Sequence, residues 1–578
     1  MTSRRGWTLG AAVPAMLAAI AVLPTLRAQF IYDDTTVIRD NTLLRGWSGV
    51  LRVWSTPYWP SEGTAGLGLY RPLQLSILSI IWNAGSGKAL WFHAYALLLA
   101  AGTAAAVWWL LRRGTSAVAA FAAAAWFATH PLHVEAIASV ANTSELLVVC
   151  CAIAMTALLM RAAPSDRGSD WMRAAAVGVL AAAALAAKES GLLALPLAAV
   201  TALSWRSSRV PLRAFLVENS RAWMAGAVGV IGVLLARLVV LGAPVSSASI
   251  AAQGLGQLSG IERARTMISL WPRIAGMLVF PRSLSPYYGP TVFPAHQTLI
   301  ALVSLAGAAL LISLAVLVAR RGDARPLAAL GWVALSYLPA SNLLAATGQI
   351  ISDRTLYGAT VGVALLIAWT LDQLAPLGRR LVLAVVAIAA FSGAMTSVRY
   401  AAAWTSHRTL WAWLADAMPN EHLSYKLEGM DARARGDTAR ALPLLARAMT
   451  MAPSDRQIRF EYGQLLYQTG RYALAAHTLA PLIRDEDARS EPAFLALYLD
   501  AVGRAAGPRA VATAATPLVH STAGNVAALF GGAALEQLGD RAGADSLYSA
   551  GLRRAPQDTV LAVRRAHLRA TSGGPLLR

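Results

Sequence analysis

The chain has 578 residues, of which 56% are hydrophobic and only 14% are charged, and its mean hydropathy is +0.51. So few charges exclude an ordinary soluble domain, and runs of about 20 apolar residues recur along the first two-thirds, as membrane-spanning helices require. The net charge of +20 comes from 47 Arg and 3 Lys set against 30 acids. Because many of the arginines lie in short loops between apolar runs, they act as topology signals, and we expect no nucleic-acid partner.

The apolar runs predict eleven membrane spans. They lie near residues 7–28, 89–111, 116–130, 142–160, 171–187, 190–205, 222–242, 297–319, 325–345, 355–374 and 379–398. The first follows Arg4 and Arg5 and lacks a small-residue cleavage site, which favours an uncleaved span over a signal peptide. Arginines collect at one end of the spans, and the positive-inside rule places that end in the cytoplasm. Two further apolar stretches, 68–84 and 259–281, are assigned to external loops as helices at the membrane interface.

The opposite, external end collects most of the acids of this region. Nine of the 14 acids before Tyr400 lie there: Asp33, Asp34, Asp40, Glu62, Glu135, Glu145, Glu189, Glu262 and Asp353. Acids are costly inside hydrocarbon, and near it they tend to mark functional sites. The pair Asp33 and Asp34 follows the first span directly, in a large external loop over 29–88, and is the first candidate for catalysis.

Two more motifs on this face carry candidate residues. Arg71 starts an apolar helix in "YRPLQLSIL", where it either reaches lipid headgroups or grips a phosphate with its planar donors. His130, His133 and Glu135 lie in "HPLHVE", between two spans. These three side chains either orient one another or contact a ligand.

The later spans add three cations and two acids. Lys188 and Glu189 lie in "KES", and Lys188 needs either Glu189 or a lipid phosphate as a partner. Arg237 lies near the outer end of its span, and Asp353 and Arg354 lie in "SDRTLYG". Together with Arg71, these residues predict a donor-binding set at the external face.

Metal binding is a weaker hypothesis. If a divalent cation such as Mg²⁺ or Mn²⁺ assists, the ligands we expect are Asp33, Asp34, Glu135 and His133. The only two cysteines, Cys150 and Cys151, are adjacent in an apolar run and are expected to be packing residues.

The composition changes after residue 400. Sixteen of the 30 acids lie there, and glycines recur 34 residues apart, at Gly429 and Gly463 and at Gly436 and Gly470. A 34-residue helix–turn–helix period is typical of tetratricopeptide repeats. We predict an all-α fold with a polytopic membrane domain over 1–400, a linker or first helix over 401–420, and about four repeats over 421–570, the third degenerate near 490–520. The groove of such a solenoid suits an extended peptide.

Carboxylates and isolated cations at one membrane face predict a transferase that uses a lipid-linked sugar phosphate. Asp33 would remove the proton of the acceptor hydroxyl, and the cations would stabilise the departing lipid phosphate. Three alternatives stay open: a transporter, a repeat scaffold without catalysis, and the same chemistry on a glycan or lipid acceptor. A transporter would place ionisable residues at mid-span.

The motifs in order resemble one known family. They are "YDD" (32–34), "YRPL" (70–73), "HPLHVEA" (130–136), "KES" (188–190), "FPRSLSPYY" (280–288), "PASNLL" (339–344) and "DRTLYG" (353–358), followed by the repeats. The chain resembles the transmembrane and tetratricopeptide-repeat O-mannosyltransferases, within the lipid-dependent glycosyltransferases of the C-type fold. The resemblance implies a polyprenyl-phosphate sugar donor, commonly mannose, inverting transfer to Ser or Thr hydroxyls of exported proteins, and a catalytic acid at Asp33 or Asp34.

The chain departs from that family in two places. Thr143 occupies a position where relatives often have an arginine, and Asp353 replaces the more usual glutamate. The composition, rich in Ala and Arg and poor in Lys, predicts a bacterial member in the inner membrane. There the site and the repeats would be periplasmic, the donor an undecaprenyl-type lipid, and the repeat groove the place where the acceptor protein binds.

Overall fold

A computed structural model gives the structure of the protein and describes residues 4–59, 68–161, 166–205, 210–242, 252, 254–256, 258–484 and 491–572. This part of the chain is built from helices and turns and contains no strand, so the predicted all-α fold class is confirmed. It divides into two compact units, Met1–Ala417 and Met418–Arg578.

The first unit contains eighteen helices in its described part. They are α1 (Arg4–Ala21), α2 (Gly49–Arg52), α3 (Pro72–Ala84), α4 (Ala89–Gly114), α5 (Ala117–Ala128), α6 (His133–Ala138), α7 (Ser144–Met160), α8 (Arg167–Ala187), α9 (Ala194–Trp205), α10 (Leu212–Glu218), α11 (Ser220–Leu241), α12 (Gly260–Ser269), α13 (Trp271–Val279), α14 (Gln297–Arg320), α15 (Arg325–Tyr337), α16 (Tyr357–Gln373), α17 (Pro376–Ala403) and α18 (His407–Ala417). Among the described residues, seven helical segments are long and apolar enough to cross a membrane. By length and composition, this unit is a multi-pass membrane domain.

Each of the eleven predicted spans overlaps a helix, but four of these helices do not belong to the seven long apolar segments. They are α1, α5, α9 and α15, with 12 to 18 residues each. Their predicted outer ends leave the α-helical conformation: tight 3₁₀ turns follow α1 and α15, and another precedes α9. Several polar motifs, such as "KES" and "DRTL", therefore lie wholly or partly on 3₁₀ turns at helix ends, where backbone groups outside the helix can bind side chains.

The two stretches assigned to the membrane interface are also helical. Helix α3 has 13 residues and extends about 20 Å, which is short of the roughly 30 Å hydrocarbon core. The stretch 259–281 forms two helices, α12 and α13, because Pro272 lacks the N–H that would continue α12 and instead lies in the first turn of α13.

The second unit contains a series of helix pairs. Its described helices are α19 (His422–Ala434), α20 (Thr438–Met451), α21 (Arg456–Gln468), α22 (Tyr472–Arg484), α23 (Pro492–Ala515), α24 (Gly524–Gln537), α25 (Arg541–Arg554) and α26 (Thr559–Ser572). Helix α23 is interrupted at Gly507, so it forms a third pair by itself. The described part of this unit therefore holds four pairs and a final helix.

Glycines repeat at two positions of these pairs. One set occupies the turns with positive φ, which a residue with a side chain adopts at a cost: Gly436, Gly470, Gly507 and Gly539. The other set lies where the two helices of a pair meet, and each member faces a side chain 16 residues later: Gly429 with Leu445, Gly463 with Leu479, and Gly532 with Tyr548. The third pair has its turn glycine but Asp500 at the contact position, which explains why its sequence looks degenerate.

In the first unit, glycines bring α8 and α11 into backbone contact. A Cβ atom on Gly229 would lie 2.3 Å from the carbonyl oxygen of Gly178, and a Cβ on Gly178 would lie 2.8 Å from that of Ala225. Small residues at such crossings let membrane helices approach closely. The contact holds the end of α8, next to Lys188, near the part of α11 that carries Arg237.

We expect the substitution Gly229→Leu to force α8 and α11 apart and to lower stability by about 1–3 kcal/mol, the usual cost of overpacking. The matched control is Gly232→Leu on the same helix, because a Cβ at Gly232 meets no atom within 4 Å. Thermal unfolding in detergent measures both. Equal melting temperatures for the two variants would contradict the close crossing.

Candidate active site

The arginine of "DRTLYG" joins two acids from distant parts of the chain. Its Nη1 lies 2.9 Å from Oε1 of Glu135 and 3.3 Å from Oδ2 of Asp33. Glu135 is fully buried and also accepts hydrogen bonds from the backbone N–H of Arg354 and the hydroxyl of Ser352. The Asp33 side chain keeps 24% exposure. The first loop, the short helix α6 and the turn before α16 therefore meet at one ion-pair cluster.

Burial and the neighbouring arginine act in opposite directions on the pKa of Glu135. Burial raises the pKa of this carboxyl, and the nearby Arg354 guanidinium partly opposes the shift. A buried carboxylate needs such a counter-ion and hydrogen bonds to stay ionised. Arg354 therefore stabilises Glu135 and, through the same guanidinium, orients the more accessible Asp33.

The second acid of the pair has a different environment. Asp34 is fully buried, and its two oxygens accept from the backbone N–H groups of Val140 and Ala141 at 2.9 and 2.8 Å. The hydroxyl of Ser139 donates to it at 3.3 Å. Asp34 thus fastens the first loop to the turn before α7, whereas Asp33 faces the cluster. Of the two acids, Asp33 is therefore the one whose carboxylate stays partly exposed, and Asp34 is the one held by backbone groups.

A second group of charges lies around Glu189. Its Oε2 lies 2.8 Å from Nη2 of Arg71, and its Oε1 lies 3.7 Å from Nη1 of Arg237. The Arg71 guanidinium also lies over the ring of Tyr58, 4.8 Å from its centre, a favourable cation–π arrangement. One carboxylate therefore bridges two of the four predicted cations.

Lys188 pairs with Glu145 rather than with its neighbour Glu189. Burial lowers the pKa of Lys188, Glu145 opposes the shift, and the positive charges of Arg71 and Arg354 add to it. Lys188 is therefore within electrostatic range of both the cluster around Arg354 and the group of charges around Glu189.

Asp353 faces away from the adjacent Arg354. It is fully buried, and the Tyr288 hydroxyl donates to its Oδ1 at 2.6 Å. Tyr288 belongs to the motif "FPRSLSPYY", so this contact joins two of the seven motifs. Asp353 holds the turn that presents Arg354.

The two histidines of "HPLHVE" pack between helices. His133 contacts the Thr360 hydroxyl through Nε2 at 2.8 Å, and its ring packs against Phe127 and Tyr357. His130 packs against Trp126 and lines a small cavity beside α17. Burial lowers the pKa of His130 to about 3, so its imidazole is neutral. Neither ring contacts the charged groups described above.

The proposed metal ligands do not form a metal site. Asp34 is bonded to backbone, Glu135 to Arg354, and His133 to Thr360. Within the described ranges, no three His, Cys, Asp or Glu side chains are grouped as metal ligands. These four residues therefore do not fit a divalent cation.

Several neighbours of the site carried no clear sequence signal. Tyr58 donates its hydroxyl to the carbonyl of Ala141 at 3.0 Å while its ring supports Arg71. Thr143, at the position where an arginine was expected, accepts from the Gln74 amide at 3.0 Å. A neutral contact therefore replaces a charge at this position. Only the position of Tyr58 and Gln74 near or within the quoted motifs of residues 29–88 could have suggested them.

The fold and the site define an all-α membrane protein with a cluster of acids and arginines at the ends of its helices and a repeat unit after it. A family model for the tetratricopeptide repeat matches residues 432–498. The chain is 33% identical over 186 residues to Protein O-mannosyl-transferase Tmtc2 of Drosophila melanogaster, which is 31% of this chain and 20% of that protein. It is 23% identical over 416 residues to Protein O-mannosyl-transferase Tmtc3 of the same species, covering 60% and 44%.

A human relative gives the same picture. The chain is 22% identical over 363 residues to Protein O-mannosyl-transferase TMTC3 of Homo sapiens, covering 59% of this chain and 40% of that protein. The chain spans half or less of the length of each curated relative that it matches.

The pKa of Asp34 yields a prediction about pH. Burial raises it from 3.8 to about 7, against the opposing hydrogen bonds from Ala141 and Val140. Because the folded state binds this proton more tightly than the unfolded state, the contribution of Asp34 to stability is full at low pH and is lost as the pH rises towards about 7. The variant Asp34→Asn lacks the titrating group.

We therefore expect the melting temperature of the wild type, relative to Asp34→Asn, to fall between about pH 4 and about pH 7. Thermal unfolding in detergent at several pH values measures the difference. A difference that grows with pH would mean that the backbone hydrogen bonds hold Asp34 ionised.

Proposed function

We propose that the chain is a membrane glycosyltransferase that moves a sugar, mannose, from a polyprenyl-phosphate donor to Ser or Thr hydroxyls of exported proteins. The observation that carries this proposal is Asp33, a partly exposed carboxylate held by Arg354 within a group of cations. The names of the similar proteins support a protein O-mannosyl-transferase activity. The arginine-rich composition supports a bacterial inner-membrane protein with the site and the repeats on the periplasmic side.

The reaction follows from the charges. Asp33 takes the proton of the acceptor hydroxyl while that oxygen forms a bond to the anomeric carbon of the sugar. The bond from this carbon to the phosphate oxygen breaks on the opposite face, so the configuration is inverted, and polyprenyl phosphate leaves with the electron pair. Arg71 and Lys188 are the cations that would stabilise the leaving phosphate. Each is now paired with a carboxylate, Glu189 or Glu145, which the phosphate would replace as counter-ion.

The location of the charges favours a transferase over a transporter. The ionisable residues of the site lie at helix ends and on turns, and Arg237 lies four residues before the end of α11 at Leu241. An ion path across the membrane needs charges at mid-span. The tetratricopeptide match favours a protein acceptor over a glycan or lipid, since stacked repeats form grooves that hold extended peptides.

We expect Asp33→Asn to lower transfer by about 100-fold or more, the usual contribution of a general base. The purified protein is incubated with polyprenyl-phosphate mannose and periplasmic acceptor proteins, and mass spectrometry quantifies free polyprenyl phosphate and hexosylated peptides. The control is Asp40→Asn, an exposed acid of the same loop whose carboxylate forms an ion pair with the neighbouring Arg39 at 2.8 Å.

Two outcomes would contradict the proposal. Full activity of Asp33→Asn would remove the base from the mechanism. A folded wild-type protein that releases no lipid phosphate from any polyprenyl-phosphate hexose would remove the donor class.

Removal of the second unit tests whether the repeats bind the acceptor while the first unit binds the donor. A chain that ends at Ala417, the last residue of the first unit, should bind the donor with unchanged affinity but modify protein acceptors at least ten times more slowly, since it lacks the groove. Donor binding is measured with a fluorescent polyprenyl phosphate. An equal loss of donor affinity would contradict this division of roles.

A further inference from the structure

The residue before the proposed base has an unusual backbone conformation. Tyr32 has φ +55°, in the left-handed region, although it is not a glycine. Bulky residues seldom adopt this conformation, and they keep it only where the surrounding contacts enforce it. Because Asp33 follows directly, the conformation of Tyr32 decides where the Asp33 carboxylate points.

The contacts that enforce this conformation come from the segment that ends the first unit. The backbone N–H of Tyr32 donates to Nε2 of His407 at 3.2 Å. Three residues earlier, the N–H of Gln29 donates to the carbonyl of Thr405 at 3.1 Å. The ring of Tyr32 packs edge-on against Trp404 and at an angle against Trp411, with centres 5.8 and 6.1 Å apart.

His407 is itself held in place. It begins α18, and its ring stacks on that of Trp411 with centres 5.8 Å apart and planes inclined by 30°. Further along α18, the indole N–H of Trp413 donates to the carbonyl of Leu284 at 2.9 Å. Leu284 belongs to the motif that also supplies Tyr288 to Asp353. Helix α18 therefore contacts two segments that support the charged cluster: the first loop at Tyr32 and the motif "FPRSLSPYY" at Leu284.

We propose that His407 is a positioning residue for the transfer reaction: its Nε2 accepts the Tyr32 N–H, holds the left-handed conformation of Tyr32, and so aims the Asp33 carboxylate at the acceptor hydroxyl. The role rests on the proposed function of Asp33 as the base. It requires the neutral imidazole, with its proton on Nδ1, because a protonated ring has no acceptor.

The surroundings favour the neutral form. Burial lowers the pKa of His407, and the positive charge of Arg39 lowers it further. The ring contacts the Tyr32 amide of the first loop and the Trp411 indole of α18, and neither of these two groups carries a charge.

Two variants separate hydrogen bonding from packing. His407→Leu keeps an apolar side chain in place but removes the acceptor. His407→Gln places an amide oxygen near the position of Nε2, so it restores the acceptor without a ring. The control is Arg408→Gln, an exposed residue on the same helix.

The full-length variants are assayed with polyprenyl-phosphate mannose for kcat and with a fluorescent polyprenyl phosphate for donor Kd. We expect His407→Leu to lower kcat by about 10- to 100-fold, as misplacement of a catalytic group by about 1 Å does. The donor Kd should not change, because the cations that bind phosphate are not held by His407. His407→Gln should recover most of kcat, and Arg408→Gln should match the wild type.

Either of two results overturns the proposal: a wild-type kcat for His407→Leu, or a loss of kcat that His407→Gln does not restore, which would mark a packing role. The wild type and Asp33→Asn in the same assay distinguish this failure from that of the proposed function. An inactive wild type overturns both the proposed function and the role of His407. If the wild type is active and Asp33→Asn is inactive, the role of Asp33 as the base stands. The two His407 variants then decide the role of His407 alone.

Discussion

The site depends on the ion pair between Arg354 and the buried Glu135. Removing a carboxylate from water without a counter-ion costs several kcal/mol, and Glu135 avoids this cost through one guanidinium, one backbone N–H and the Ser352 hydroxyl. The same guanidinium reaches Asp33. The need for a counter-ion to Glu135 therefore joins three segments that lie more than 100 residues apart in the chain. It also helps to orient the Asp33 carboxylate, the proposed base.

The remaining cations follow the same rule with other partners. Glu189 lies between Arg71 and Arg237, and Glu145 pairs with Lys188. Without these two acids, the three positive charges would repel one another in a region of low dielectric. The acids keep the cations close together, and this is the arrangement that a phosphate needs. The close crossing of α8 and α11 supports it, because it holds the segments that carry Lys188 and Arg237 near one another.

Much of the fold could be predicted from the sequence because membrane helices and repeats depend on local composition and period. All eleven predicted spans overlap helices, and the 34-residue glycine spacing reappears as turn and contact positions of the helix pairs. The sequence also predicted that acids and cations from several motifs lie close together, and the structure pairs Asp33, Glu135, Glu145 and Glu189 with such cations. The side of the membrane on which they lie stays a prediction, and Glu62, another of the acids, lies outside the described residues.

The roles of single residues could not be predicted, because they depend on contacts between distant segments. Asp33 and Asp34 have the same chemistry and adjacent positions, and only the contact of Asp34 with Val140 and Ala141 separates them. Likewise, the sequence placed Lys188 beside Glu189, but their side chains diverge to different partners. The left-handed conformation of Tyr32 has no sequence signal at all, since it arises from contacts with residues 404–411.

A structure of the protein with bound polyprenyl-phosphate mannose, determined by cryo-electron microscopy, tests the central claim most directly. The arrangement of charges predicts that the donor phosphate contacts Arg71 or Lys188 and that the anomeric carbon faces the Asp33 carboxylate, with Arg354 still bound to Glu135. A donor bound at the other end of the helices, or one whose sugar lies out of reach of Asp33, would contradict it.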